Sequence, residues 1–224
     1  MIPDYDTRTG KGILSLAQDK VAKGRYVETI QEYIEAYERE QSTRANFTKN
    51  CGPLEKPAHA WCRFPLDVFD AEGCSAKNRY GFDSGEPCFL LELKLQSSWT
   101  PVFSRNVTIL PLKCDAYDQS SLRRNVDVKI ISPFGNDVMD GFPVNKIPSR
   151  AISDSEGRDV SDENGETLYD QPALAFVKIR LGRSIHTSIR CSLAQATTET
   201  SVLNLVAFPG NRVINFDLFY PYVQ

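Results

Sequence analysis

Tyr80-Gly81-Phe82-Asp83-Ser84-Gly85-Glu86-Pro87-Cys88, running straight into Phe89-Leu90-Leu91-Glu92-Leu93-Lys94-Leu95, is the stretch on which the reading of this chain turns. Gly and Pro punctuate its first half. In its second half Leu91, Leu93 and Leu95 alternate with Glu92 and Lys94, the period of a strand with one apolar face. The same period recurs downstream. Val126, Val128 and Ile130 alternate with Asp127 and Lys129, and Ile185, Thr187, Ile189 and Cys191 alternate with His186, Ser188 and Arg190. Phe216, Leu218 and Tyr220 repeat it near the end. Leu174 to Ile179 is nearly continuous apolar, which predicts a strand covered on both sides.

Upstream the period changes. Tyr26, Ile30, Tyr33 and Tyr37 recur at helical spacing, flanked by Val27 and Ile34, and glutamates fill the other faces. This predicts a helix over 26–40 that covers one edge of a core. Residues 1–25 lack such periodicity and are expected to be a loose arm. The acidic stretch 150–170 is expected to be an exposed loop. The summary is a mainly β fold, antiparallel, with one flanking helix and a single domain over 26–224.

Six cysteines stand along the chain: Cys51, Cys62, Cys74, Cys88, Cys114 and Cys191. Their number is even and none forms a CxxC pair, which reads as a disulfide framework outside the reducing cytosol. Six cysteines allow fifteen pairings, and spacing does not choose among them. Two glycosylation sequons, at Asn46 and Asn106, point to the same compartment. No apolar run approaches the roughly 20 residues of a membrane span, and no signal peptide opens the chain. An extracellular domain whose targeting segment lies outside these residues reconciles the two observations.

The chain has 224 residues, 41% hydrophobic, enough for one core. With 26 basic and 29 acidic side chains its formal charge is -3, so it lacks the concentrated positive field that nucleic acid requires. Zinc is disfavoured, because the cysteine intervals are long and only His59 and His186 are available. Asp83-Ser84-Gly85-Glu86-Pro87 resembles the nucleophile segment of chymotrypsin-like proteases, and Ala58-His59-Ala60-Trp61-Cys62 faintly resembles their histidine motif. However, His59 and Ser84 stand only 25 positions apart, and Glu86 replaces the glycine that an oxyanion hole needs. A calcium loop at Asp162, Asn164 and Gly165 fails at its first and twelfth positions, Val160 and Gln171. No catalytic residue, metal or cofactor is expected.

Tyr80 to Cys88 closely resembles the Tyr-Gly-(aromatic)-x-x-Gly-x-Pro-Cys signature of the β subunit of animal sodium/potassium and proton/potassium ATPases. Cys62-Arg63-Phe64, Gly73-Cys74-Ser75, Leu110-Pro111-Leu112-Lys113-Cys114, Gly141-Phe142-Pro143, Gln171-Pro172 and Ile189-Arg190-Cys191 follow in that family's order. The resemblance implies an immunoglobulin-like β-sandwich with one added helix. It also implies the pairs Cys51–Cys62, Cys74–Cys88 and Cys114–Cys191, the last linking distant strands. It further implies a non-catalytic accessory subunit, a single-pass type II protein of the plasma membrane whose partner is the catalytic α subunit of a P-type ATPase. Support of that partner's folding, trafficking and potassium affinity belongs to the same expectation.

Tyr80, Gly81, Phe82, Gly141, Phe142, Pro143, Val144 and Pro148 are the contact residues that the resemblance implies. One departure bears on them. Vertebrate members follow Gly-Phe-Pro with Tyr-Tyr-Pro-Tyr-Tyr-Gly, which packs on the α subunit, whereas this chain reads Val144-Asn145-Lys146-Ile147-Pro148-Ser149. The alternative reading is an extracellular adhesion module that makes contacts between cells without a pump.

Overall fold

The computed structural model describes residues 5–6, 11–15, 20–43, 47–48, 61–95, 109–117, 126–132, 140–143, 173–181, 185–193, 201–205 and 213–220. Among these, two sheets enclose the core. The larger joins β1 (Tyr5–Asp6), β2 (Lys11–Ser15), β6 (Ile109–Tyr117), β8 (Gly141–Pro143), β10 (Ile185–Leu193) and β12 (Val213–Tyr220), in the order β1-β2-β12-β10-β6-β8. The smaller joins β5 (Cys88–Leu95), β7 (Val126–Ile131), β9 (Ala173–Leu181) and β11 (Ser201–Leu205), in the order β11-β5-β9-β7. Every pairing in the two sheets is antiparallel except that of β2 with β12. Two short strands, β3 (Phe47–Thr48) and β4 (Trp61–Cys62), pair in parallel beside them. The mainly β sandwich with one long helix is thus the observed architecture.

The alternating strands bury what their pattern predicts. On β10, Thr187, Ile189, Cys191 and Leu193 are buried while Arg190 is exposed. The two central strands of the smaller sheet differ, because both their faces are covered. Register places Leu90 opposite Phe176 and Glu92 opposite Leu174 on one face, and Phe89, Leu91 and Leu93 opposite Val177, Ala175 and Ala173 on the other. Ala173 to Val177 are all buried, as are Cys88 to Leu91. A continuous apolar run is the sequence trace of that double burial.

Most contacts of the helical elements fall on the first of these faces, while Phe89 at the start of β5 also meets the long helix. Phe176 lies with its ring centroid 4.7 Å from that of Phe69 on the short helix α2 (Asp67–Ala71) and 5.9 Å from that of Tyr80. The long helix α1 (Lys20–Thr43) buries Tyr26, Val27, Ile30 and Tyr37. Tyr26 packs against Phe82 at 5.3 Å and Phe89 at 5.9 Å. Tyr33 bonds to the Glu92 carboxylate below it, and burial, reinforced by that negative charge, pushes the Tyr33 phenol well above its ordinary range. Near the C-terminal end of α1 the buried Gln41 amide accepts from the Phe64 N–H and donates to the Phe64 carbonyl. Both amide ends are thereby satisfied, and the segment after β4 is fixed to the helix.

One feature departs from the reading of the sequence. Residues 1–25, expected to be a loose arm, contain β1, β2 and the start of α1 at Lys20. Lys11–Ser15 carries no alternation worth reading, because the open edge of β12 supplies its backbone partners: Gly12 stands opposite Phe216 and Leu14 opposite Leu218. The Cys114–Cys191 bond, by contrast, is the one that the resemblance implies. These residues face each other directly on neighbouring strands β6 and β10, with Cα atoms 4.0 Å apart. The strands are distant along the chain, 77 positions, but adjacent in space. Residues 150–170, with Asp162, Asn164 and Gly165, lie outside the described residues, as do Asn46, Asn106 and Cys51, so the Cys51–Cys62 pairing does too.

Phe176 joins the sheet to two separate helical elements, so its removal leaves a cavity that neither can fill alone. Phe176→Ala is expected to cost about 3–5 kcal/mol. Urea unfolding would measure this as a lower midpoint at unchanged slope.

Candidate partner interface

The segment Glu72–Cys88 begins where α2 ends. Gly73 takes φ +79°, letting its N–H reach the Asp70 carbonyl at 3.0 Å and that of Cys74 reach the Phe69 carbonyl at 2.8 Å. Cys74 is bonded to Cys88, with Cα atoms 5.7 Å apart, so the segment is a closed loop on the first residue of β5. A 3-10 turn, Ala76–Gly81, fills it. The Ser75 N–H donates to Asn78 Oδ1 at 3.2 Å, and the Asn78 amide donates to the Gly73 carbonyl.

Arg79 and Tyr80 then adopt φ of +54° and +51°, unusual for residues with a side chain. This pair of left-handed residues splits their directions. Tyr80 turns inward onto Phe176. Arg79 stays at the surface, where its Nε lies 2.8 Å from Asp83 Oδ2. Gly81 follows at φ +71°, and a Cβ there would lie 2.1 Å from the Glu86 carbonyl oxygen. The Gly81 carbonyl accepts from the N–H groups of Ser84 and Glu86, both at 3.2 Å, and from Ser84 Oγ at 3.0 Å. The Ser84 hydroxyl therefore fastens a turn. His59 lies outside the described residues, as does the side chain of His186.

Electrostatics pin the loop at both ends. Glu86 divides its carboxylate between Arg180 Nε at 2.7 Å and Lys178 Nζ at 3.2 Å. Lys178 also donates to the Glu72 carbonyl at 3.1 Å, and Glu72 Oε2 lies 2.6 Å from Lys129 Nζ. The hydrogen bond from Arg180, then that from Lys178, hold the Glu86 carboxyl below its ordinary value of 4.5. Sequence reasoning treated Leu174 to Ile179 only as an apolar run. The signal it passed over is the pair Lys178 and Arg180, two residues apart and so on one face of β9.

The expected contact residues divide sharply. Tyr80 is 3% exposed, Phe82 2% and Phe142 0%, and Gly81 and Gly141 are buried with them. Burial pushes the Tyr80 phenol up to about 12. The side chains of Tyr80, Phe82 and Phe142 build the core of this chain and present no surface to another. What they position is exposed: Lys77, Asn78, Arg79, Asp83 and Ser84 on the turn, and Asp140 just before β8. That second corner is held by the Ser132 hydroxyl, which donates to the Gly141 carbonyl, and by the Leu112 N–H, which donates to the Asp140 carbonyl at 3.0 Å. Desolvation raises the Asp140 carboxyl despite the opposing charge of Lys129. The side chain of Pro143, and Val144 and Pro148 entirely, lie outside the described residues.

Among the described residues no three His, Cys, Asp or Glu side chains gather in a metal-binding group, and no helix is long and apolar enough to cross a membrane. A family model described as "Sodium / potassium ATPase beta chain" matches residues 1–224. A protein of Caenorhabditis briggsae named "Probable sodium/potassium-transporting ATPase subunit beta-3" is 33% identical over 92 residues, which cover 38% of this chain and 27% of that protein. The chain is thus matched to little more than a quarter of that relative's length.

Gly81→Ala is expected to destabilise by at least about 2 kcal/mol, because it combines a left-handed φ with a backbone clash. Gly24→Ala, within α1 and with open space at its Cβ, is the contrasting case and is expected to stabilise by about 0.5–1 kcal/mol. Denaturant melts of the two variants would show shifts of opposite sign. Glu86 supplies a pH dependence. Its folded pKa is depressed, so its stabilisation is complete above 4.5 and disappears as pH falls through the lower folded value. Glu86→Gln is expected to lower stability at pH 7 and to lose that component of the acid slope, as thermal melts between pH 7 and pH 3 would record.

Proposed function

The chain belongs to the sodium/potassium ATPase beta chain family, and from that premise we propose that it is a non-catalytic accessory subunit of a P-type cation-transporting ATPase. The carrying observation is the match along all 224 residues. On this reading the chain lies on the extracellular side of the plasma membrane and binds the extracellular loops of a catalytic α subunit. It supports that partner's folding and delivery to the surface and tunes its affinity for potassium. ATP hydrolysis and ion movement stay with the partner, and the β chain contributes only binding energy.

The geometry supports a particular way of doing this. A loop closed by Cys74–Cys88, pivoting on Gly81 and tied to β9 through Glu86, loses little further freedom when a partner docks on it. Low ordering cost leaves more of the contact energy as affinity. The proposed contact surface is the exposed side of this turn, Arg79, Asp83 and Ser84, together with the corner at Asp140 that leads into Val144 and Pro148. Buried Tyr80, Phe82 and Phe142 act as its scaffold. Glycans at Asn46 and Asn106 belong to the same reading.

Co-expression with a P-type ATPase α subunit tests the reading. The α subunit is expected to co-purify with the chain and to leave the endoplasmic reticulum only in its presence. Asp83→Lys combined with Asp140→Lys is expected to reduce recovered α subunit about three- to tenfold without changing the melting temperature, as for interfacial charges. Failure of every co-expressed α subunit to co-purify with the wild-type chain would discard the proposal.

A further inference from the structure

Strand β7, Val126–Ile131, is the last strand of the smaller sheet: it pairs with β9, and among the described residues no strand pairs with its other side. An open edge of this kind offers a row of free backbone groups to another strand, and proteins commonly block it with charged side chains, a block that works against a second copy of the same strand when like charges come opposite one another. Here the charges differ. Asp127 and Lys129 are both exposed and flank Val128, while Val126, Val128 and Ile130 point the other way and are only partly buried against the core.

An antiparallel pair formed by two copies of one strand has a two-fold axis, and each residue meets its mirror position. Centred on Val128, the sequence Val126-Asp127-Val128-Lys129-Ile130 is complementary to itself. Asp127 of one copy stands opposite Lys129 of the other, and Lys129 opposite Asp127. Val126 meets Ile130, and Val128 meets Val128. Both charged pairs fall on one face and all the apolar pairs on the other, because side chains alternate along a strand. Lys129 already touches Glu72, yet its side chain is 55% exposed and keeps room for a second carboxylate. A copy added at this edge would cover the remaining surface of Val126, Val128 and Ile130.

We propose that β7 is a self-recognition edge, through which two copies of this chain join by antiparallel β7–β7 pairing into one continuous sheet of eight strands. This does not depend on the α-subunit reading, since it uses a different edge and needs no pump.

The test uses the 224-residue chain and sedimentation equilibrium. The wild type is expected to dimerise. Asp127→Lys alone and Lys129→Asp alone each place like charges opposite one another twice and are expected to weaken the dimer about tenfold or more. The double variant Asp127→Lys, Lys129→Asp restores the complementarity and is expected to restore the dimer. A mixture of the two single variants is expected to form a heterodimer that neither supports alone. Cysteine cross-linking checks the register without altering charge. Val128→Cys is expected to form a dimer through an intermolecular disulfide, whereas Val126→Cys requires an Ile130→Cys partner copy. A wild type that stays monomeric, or a dimer indifferent to both reversals, or one that the double variant fails to restore, overturns the proposal. Cross-linking by Val126→Cys alone to the extent of Val128→Cys overturns the register.

Discussion

The burial of Phe176 between Phe69 and Tyr80 is the contact on which the rest of the chain depends. It lies on the one face of the smaller sheet that has no second sheet to cover it. Without the helical elements, β5 and β9 would expose Leu90, Phe176 and Leu174 to water, and an apolar surface of that size is not left open on a folded chain. α1, α2 and the loop closed by Cys74–Cys88 are therefore the third layer of the core. The turn that carries the exposed Arg79, Asp83 and Ser84 is placed by the same packing, since its Tyr80 and Phe82 are the inward half of one structure.

Much of this was legible in the sequence. Period-two alternation located β5, β7, β10 and β12, and the unbroken run Leu174 to Ile179 marked a strand covered on both faces. Helical spacing of Tyr26, Ile30, Tyr33 and Tyr37 located α1, though not its extent: the first turns, from Lys20, lack the aromatic stripe. β2 was invisible because its partner, the edge of β12, lies some 200 residues away along the chain and acts through the backbone, which leaves no side-chain pattern.

The candidate interface was less legible, for a different reason. A motif rich in tyrosine, phenylalanine and glycine reads equally well as a sticky surface or as a scaffold, because aromatic side chains dominate both interfaces and cores. Only the two left-handed residues at Arg79 and Tyr80 decide the matter, by sending one side chain in and the other out. Nothing in the letters announces a positive φ at a tyrosine. The glycines announce it better: Gly81 has no alternative residue, because its missing Cβ is where the Glu86 carbonyl sits.

The Cys114–Cys191 bond has a consequence for how the chain finds its fold. Because side chains alternate, a slip of one residue between β6 and β10 would carry one of the two sulfurs to the opposite face of the sheet. The bond can therefore close only on the native alignment of strands that lie 77 positions apart. Pairing at such separation is the slow part of assembling a β-rich chain, since the loop must close before any contact rewards it. Once oxidised, the chain retains that alignment when everything around it melts. The disulfide thus works as a stored memory of register, carrying information about the sheet through states in which the sheet itself is gone.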